Sequence, residues 1–292
     1  DGADSPVVTY RPLAITSLVL DNAVWRGDPR GFHLTNVLLH IVCVVLFWKL
    51  LLCLGIGSAA AFAVSVVFGV HPVGAEAITW INGRSEPLCL LFGLATLCLC
   101  ARDGRLTRAG LVGVACAACL TLLGKETGII IIVIALGVLL RGSDRQRQIG
   151  GGTALAAGVF VYAGLRAYAL AGAQHTATPY DRALLAIPSL WFRSLQTVRV
   201  PVNIGLENLP AWLATTAPVE RSLFAVVAVV LVAATALLAL RRRVLEVLGL
   251  AWWLGVLAPP SLTLATGGYW PGLNRWIYVA LPGLLLALGP VL

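Results

Sequence analysis

An all-α, polytopic transmembrane helical bundle is the fold class this sequence predicts, and three observations carry it. Of 292 residues, 59% are hydrophobic and only 12% are charged, where a soluble domain carries about 25% charged residues. Mean hydropathy is +0.90. Apolar runs follow one another along the chain, and several of the short gaps between them are rich in arginine. Such a chain cannot hide its apolar surface from water and must lie in a bilayer. We read one integral membrane domain over 1–292, with no soluble domain and no short repeat.

The chain begins at Asp1, contains no Met and ends within an apolar run at Leu292. It therefore reads as a fragment or processed chain that continues at both ends. Residues 1–11 are polar, with no basic stretch before an apolar run, so no signal peptide is read there. The net charge of +8 would point to nucleic acid in a soluble protein. Here it sits largely in arginine clusters between apolar runs, so it sets orientation and no nucleic-acid partner is expected. The seven cysteines (Cys43, Cys53, Cys89, Cys98, Cys100, Cys116 and Cys119) all fall in apolar segments. They read as small buried residues over disulfide or metal ligands.

Nine spans are predicted: 37–54, 56–70, 87–101, 109–123, 127–140, 149–171, 222–240, 244–262 and 276–292. Several are nearer 15 than the usual ~20 residues, which implies tilted neighbours, a thinned bilayer or polar cavities. The connections "RDGRLTR" (102–108), "RGSDRQRQ" (141–148) and "RRR" (241–243) face the cytoplasm by the positive-inside rule. Crossings between same-side loops must be even in number, so 109–140 folds as a hairpin with "GKETG" (124–128) at its outer tip. The same counting puts 1–36, 71–86, 172–221 and 265–276 outside. The polar clusters other than the arginine loops then share one face. Asp21, Arg26, Asp28 and Arg30 read as wet loop residues. Lys125 and Glu126 do not, because short hairpin arms hold them at or below the interface, where ionisable groups are costly and usually functional.

Four stretches on that face carry chemistry. In "TYRPL" (9–13), Pro12 favours an extended Arg11 backbone, so a shaped loop presents an arginine suited to bidentate phosphate recognition. In "GFHLTNVLLH" (31–40), His33, Asn36 and His40 stand at i, i+3, i+7 and share one helical face. Hydrogen-bonded helix packing is expected there, and a metal site is the sharper alternative. In "HPVGAEAITWINGRSEP" (71–87), Pro72 ends or kinks the preceding span. A short helix would then place Glu76, Trp80 and Arg84 on one face, with Glu86 next to the following span. There Arg84 can hold a lipid phosphate while a carboxylate deprotonates or positions a hydroxyl; a self-neutralising Arg–Glu pair is the plainer reading. "GLNRWIYVALPG" (272–283) sets Arg275, Trp276 and Tyr278 at an outer helix start, where snorkelling to the interface is the plain alternative. Over 172–221, Trp191, Phe192, Arg193 and Arg199 suggest a helix lying on the outer membrane surface.

Taken in order, "YRPL", "GFHLTNVLLH", "HPVGAEAITWINGRSE", "KETG" and "NRWIYVALPG" resemble the membrane portion of the transmembrane and tetratricopeptide-repeat O-mannosyltransferases and their bacterial relatives. These belong to the C-type (GT-C) glycosyltransferase superfamily. The resemblance is close over about 9–130 and looser over 185–210 and 265–285. It implies a GT-C-like bundle that transfers mannose from a polyprenyl phosphate to a protein hydroxyl, with inversion, on the periplasmic or lumenal face of a bacterial inner or endoplasmic-reticulum membrane. By resemblance, Tyr10 and Arg11 match a Tyr-Arg-Pro-Leu motif, and His71, Pro72, Glu76, Arg84 and Glu86 match a His-Pro loop. Lys125 and Glu126 match a Lys-Glu turn. Arg275 matches the Arg of a Glu-Arg-Tyr motif, with Asn274 in place of the acid.

The expected roles are catalytic for Glu76, Glu86 and His71. Tyr10, Arg11, His33, Asn36, His40, Trp80, Arg84, Lys125, Glu126 and Arg275 are expected to bind substrate, with Arg11 and Arg84 first on the donor phosphate. No metal and no cofactor are expected, since the lipid-linked sugar enters as substrate. The partners are membrane lipid, the polyprenyl-phosphate sugar and a protein acceptor. The family's catalytic Asp follows its first span, which is missing here. Asp1 and Asp4 are candidates by position, but the base is expected upstream, and the tetratricopeptide repeats beyond Leu292. A transporter or flippase for a lipid-linked or polar solute is the alternative function, and would show inverted repeats or midplane helix breaks. A structural scaffold is the third, and would tolerate replacement of the outer polar residues.

Overall fold

A computed structural model describes residues 10–171, 243–264 and 273–288, with the single positions 191, 198, 231 and 235. Among these residues every regular element is helical. In chain order they are α1 (Pro12–Trp25), α2 (Pro29–Cys53), α3 (Ser58–Val70), the short α4 (Gly74–Thr79), a 3-10 turn (Ile81–Arg84), α5 (Ser85–Ala101), α6 (Arg108–Gly124), a second 3-10 turn (Glu126–Gly128), α7 (Ile129–Leu140), α8 (Arg145–Ala169), α9 (Val244–Leu264) and α10 (Leu273–Leu288). Eight of the nine predicted spans fall on α2, α3 and α5 to α10. The ninth, 222–240, lies outside the described residues except at positions 231 and 235. So do Asp1, Asp4 and the predicted surface helix of 172–221, apart from Trp191 and Val198.

The helix starts follow local chemistry. Proline opens α1 and α2, where its fixed φ suits the first turn and its missing N–H costs nothing. Among the described residues side chains cap three helices. Asp28 accepts from the Arg30 amide at 3.0 Å, Thr107 from Gly110 at 3.1 Å and Asp144 from Gln146 at 2.9 Å, each satisfying an orphan donor of a first turn. Gly55, at φ +86°, makes the turn between α2 and α3 in a region that side chains avoid.

One expectation is corrected here. Residues 12–25 are a helix, where the sequence reading placed them in a loop. Pro12 leaves Arg11 outside the helix at φ −131°, ψ 60° and opens the helix behind it. With 14 residues, α1 is about 21 Å long, too short to cross a hydrocarbon core of about 30 Å. Its outward residues Ile15, Val19, Leu20 and Val24 are exposed and apolar.

The helices alternate in direction, so the bundle has two chemically distinct ends. At one end Arg147 donates to the Cys100 carbonyl at 2.6 Å, and a Cβ on Gly151 would meet both Leu139 and Leu106. The loops 102–107 and 141–144 therefore adjoin, and with the first turn of α8 they carry Arg102, Arg105, Arg141, Arg145 and Arg147. At the other end Gly124 lies against the backbone of Cys89, and the 71–86 loop, the tip of the α6–α7 hairpin and the start of α10 come together. The helix α5 runs through the centre, packed against α2, α6, α7 and α10.

Among the described residues three helices are long and apolar enough to cross a membrane: Pro29–Cys53, Arg145–Ala169, and α5 counted with the 3-10 turn before it, Ile81–Ala101. Shorter apolar helices surround them, and the chain is a membrane protein. Burial from water does little to hold helices together in lipid, so close packing must do it, and small residues permit the closest approach. A Cβ on Gly158 of α8 would stand 2.4 Å from the Ala115 carbonyl of α6. On α9 and α10, Gly249 and Gly283 face each other, and a Cβ on either would meet the other's carbonyl within 2.8 Å. These are backbone-to-backbone contacts that only glycine allows.

Candidate active site

The 71–87 stretch is built around a helix that stops early. Pro72 follows the end of α3, and α4 then runs for six residues. At Trp80 the backbone turns extended, at φ −84°, ψ 115°. Asn36 of α2 explains why the break holds. Its amide donates to the Ile78 carbonyl at 3.1 Å and to the Trp80 carbonyl at 3.4 Å, supplying partners for acceptors that a continuing helix would have satisfied. The single helical face expected for Glu76, Trp80 and Arg84 therefore does not form, and Glu76 and Arg84 have different partners.

Arg84 is wholly buried. Its Nε donates to Asn36 Oδ1 at 2.7 Å, Nη1 to the Ser17 carbonyl and hydroxyl at 3.2 and 3.1 Å, and Nη2 to the Phe32 carbonyl at 3.0 Å. Nη2 also forms an ion pair with Asp21 of α1. The Thr35 hydroxyl donates to the other Asp21 oxygen at 3.0 Å. Asp21 is thus a buried counter-ion and not a wet loop residue, which corrects the sequence reading, while Arg26, Asp28 and Arg30 are exposed. This guanidinium ties α1, α2 and the 71–86 loop together. It presents no open edge to a ligand.

Four further ion pairs gather beyond it. Lys125 pairs with Glu86, both enclosed, and the ammonium stands 5.5 Å from the centre of the Trp276 ring. Burial pushes the Lys125 ammonium down from its ordinary value, and the Glu86 charge pulls it back up. Glu76 pairs with Arg275 at 3.3 Å, and the Arg275 guanidinium lies over the Trp80 ring at 3.8 Å, a cation–π contact. Glu126 bridges two arginines: Oε2 to Arg11 Nε at 3.4 Å and Oε1 to Arg166 Nη1 at 3.4 Å. Arg166 also donates to the Tyr162 hydroxyl at 3.2 Å, and the Tyr162 ring meets Tyr10 with centroids 6.2 Å apart.

Of the residues named from the sequence, Tyr10, Arg11, Glu76, Trp80, Glu86, Lys125, Glu126 and Arg275 come together at this end. His33 is exposed, so the face expected for His33, Asn36 and His40 is buried only at Asn36 and His40. His40 is buried. Its Nδ1 is 3.0 Å from the Tyr278 hydroxyl and its Nε2 is 3.0 Å from the Gly69 carbonyl. A carbonyl only accepts, so Nε2 carries the proton and the tyrosine donates to Nδ1. His71 is held likewise, with Nε2 at 3.2 Å from the Val198 carbonyl and Nδ1 accepting from Val73 N at 3.2 Å. Both histidines thus spend both nitrogens on the framework. Among the described residues no group of three or more His, Cys, Asp or Glu could hold a metal. Arg166 escaped the sequence reading because nothing in "GLRAYA" marks it; its place in the last turn of α8, at the same end as "GKETG", was the available signal.

Below the cluster, α3 and α10 flank an apolar groove of about 690 Å³, lined by Ala59, Ala60, Ala63, Val64 and Val67 of α3 and by Leu285 of α10. The opposite ends of the same two helices lead to His71 and Arg275.

Comparison with known proteins gives the family. The chain is 31% identical over 216 residues to protein O-mannosyl-transferase Tmtc2 of Drosophila melanogaster, covering 69% of this chain and 23% of that protein. It is 40% identical over 91 residues to protein O-mannosyl-transferase TMTC1 of Mus musculus, covering 30% and 10%. The chain belongs to the TMTC family. With protein O-mannosyl-transferase TMTC3 of Homo sapiens the identity is 35% over 88 residues, 30% of this chain and 9% of the relative. The chain thus spans a quarter or less of the length of these TMTC relatives. No family model matches it, and no solved structure matches it.

Proposed function

We propose that this chain is the membrane domain of an inverting O-mannosyltransferase that takes mannose from a polyprenyl phosphate and passes it to a protein hydroxyl on the extracytoplasmic face. One observation carries the reading. Arg11, Arg166, Arg275 and Lys125 converge from four separate elements on the bundle end opposite the arginine loops, each beside a carboxylate. The relatives' names supply the reaction class. By the positive-inside rule the arginine loops lie in the cytoplasm, which puts the cluster on the other face.

In direct displacement the acceptor oxygen forms a bond to the sugar's C1 and the bond from C1 to the phosphate oxygen breaks. The electron pair stays on the phosphate, and the hydroxyl proton passes to a carboxylate base. Cations matter most for the phosphate, whose charge grows as the bond breaks. Arg11 is the accessible phosphate ligand, and Arg275 and Lys125 add positive field. Arg84 serves the framework. Of the two carboxylates in the 71–86 loop, Glu76 is 30% exposed and Glu86 is 3% exposed behind Lys125. Glu76 is therefore the one placed to meet an acceptor or sugar hydroxyl. The groove between α3 and α10 has the apolar lining that an isoprenoid tail requires.

The test is transfer from polyprenyl-phosphate mannose by the intact protein carrying Arg11→Ala or Arg275→Ala. Each is expected to lose at least tenfold in kcat/KM, since a charge-assisted hydrogen bond contributes about 1.5–3 kcal/mol. Wild-type transfer in both variants would overturn the reading.

A further inference from the structure

The two kinds of arginine at this end of the bundle differ in how they are held. Arg84 is saturated, with all three of its nitrogens bonded at 2.7–3.2 Å. Arg11 and Arg166 each touch Glu126 through one nitrogen at 3.4 Å, longer than the 2.7–2.9 Å of a well-formed charge-assisted bond. The Nη1 and Nη2 atoms of Arg11, and the Nε and Nη2 atoms of Arg166, have no hydrogen-bond partner among the described residues. Both guanidinium groups and the carboxylate between them are about a quarter to a third exposed. Glu126 sits on a single 3-10 turn at a hairpin tip, while Arg166 is fixed by Tyr162 on the last turns of α8.

We infer that Arg11 and Arg166 form a two-armed receptor for a lipid-borne phosphate, and that Glu126 is the resident counter-ion which the released phosphate monoester displaces. The inference rests on the donor class proposed above and assigns a residue, Arg166, and a role, displaceable anion, that go beyond it. The charges match the two ligands the site would meet. With Glu126 in place the trio carries +1, which balances a phosphodiester donor with one negative charge. With Glu126 withdrawn the two arginines carry +2, which balances the released monoester with nearly two. Each guanidinium has an unused edge with which to grip phosphate oxygens in the fork geometry that arginine favours.

The experiment measures equilibrium binding of farnesyl phosphate, a short polyprenyl monoester, to the intact protein in detergent. Arg166→Gln should weaken binding on the order of tenfold through loss of a charge-assisted contact, and Arg166→Lys, which keeps the charge, should lie between the two. Glu126→Gln should tighten binding on the order of tenfold, because the competing anion is gone. It should also make farnesyl phosphate a stronger inhibitor of transfer. A melting profile for each variant shows whether the fold is intact.

Weakening by Glu126→Gln in a folded protein would overturn the counter-ion role. Wild-type binding by Arg166→Gln would overturn the receptor and leave the proposed function standing. Failure of the wild-type protein to bind farnesyl phosphate would overturn both. Inorganic phosphate is the second arm. If it displaces farnesyl phosphate at equal concentration, the site belongs to the free anion and the lipid assignment falls.

Discussion

Replacing Arg84 by alanine separates framework from chemistry in this site. The substitution removes a guanidinium with no exposure, bonded to Asn36, to the Ser17 and Phe32 carbonyls and to Asp21. Asp21, itself 8% exposed, would remain as a buried and unmatched carboxylate. Breaking a buried ion pair from one side costs about 3–5 kcal/mol. The orphaned carbonyls would add about 1 kcal/mol each if water did not reach them. Because they lie near the bundle end, where water enters, we take about 4 kcal/mol in total. At about 2–4 °C per kcal/mol for a domain of this size, Arg84→Ala should melt about 10 °C below the wild type.

The assay is thermal unfolding of the intact protein in detergent, followed by the loss of the monodisperse peak in size-exclusion chromatography. The double variant Asp21→Leu/Arg84→Met should recover most of the loss, because it removes both charges and keeps apolar volume. Arg11→Ala should melt within about 4 °C of the wild type, since its partly exposed pair with Glu126 contributes about 1 kcal/mol or less. A wild-type melting point for Arg84→Ala, or an equal fall for Arg11→Ala, would refute the division between the two arginines.

Two further predictions concern the bundle itself. Gly158→Ala puts a methyl 2.4 Å from the Ala115 carbonyl, so α6 and α8 must part; overpacking of this kind costs about 1–3 kcal/mol, read as a fall in melting temperature. His40→Leu strands the Tyr278 hydroxyl and the Gly69 carbonyl, at about 1–3 kcal/mol; pairing it with Tyr278→Phe should restore part of the loss in the same melting assay.

Much of the architecture was legible because lipid imposes a simple rule: apolar runs become helices, and arginine gathers at one end of them. Pro12 shows where that rule fails. A proline can extend the residue before it and still begin a helix after it, and only tertiary contact, here Asp21 on Arg84, reveals which consequence matters. The pairings were less legible than the participants. Glu76, Trp80 and Arg84 have the spacing of one helical face, yet Asn36, 42 residues from Ile78, stabilises a break between them and sends Glu76 to Arg275. Nor does local pattern distinguish Arg11 from Arg84. Both are single arginines in motifs, and what separates them is whether neighbours from elsewhere close over the guanidinium.

The glycine contact between α9 and α10 has a mechanical consequence. Gly283 and Arg275 stand eight positions apart on one helix, about 12 Å along its axis. With Gly249 pressed on Gly283 the helix pair has a fulcrum, and a tilt of about 5° around it would swing the Arg275 end by about 1 Å. Reaction geometry is sensitive at that scale, since a misplacement of about 1 Å can cost on the order of a hundredfold in rate. A methyl group added at the fulcrum would therefore act on catalysis as a lever does, at a distance and without touching any reacting atom.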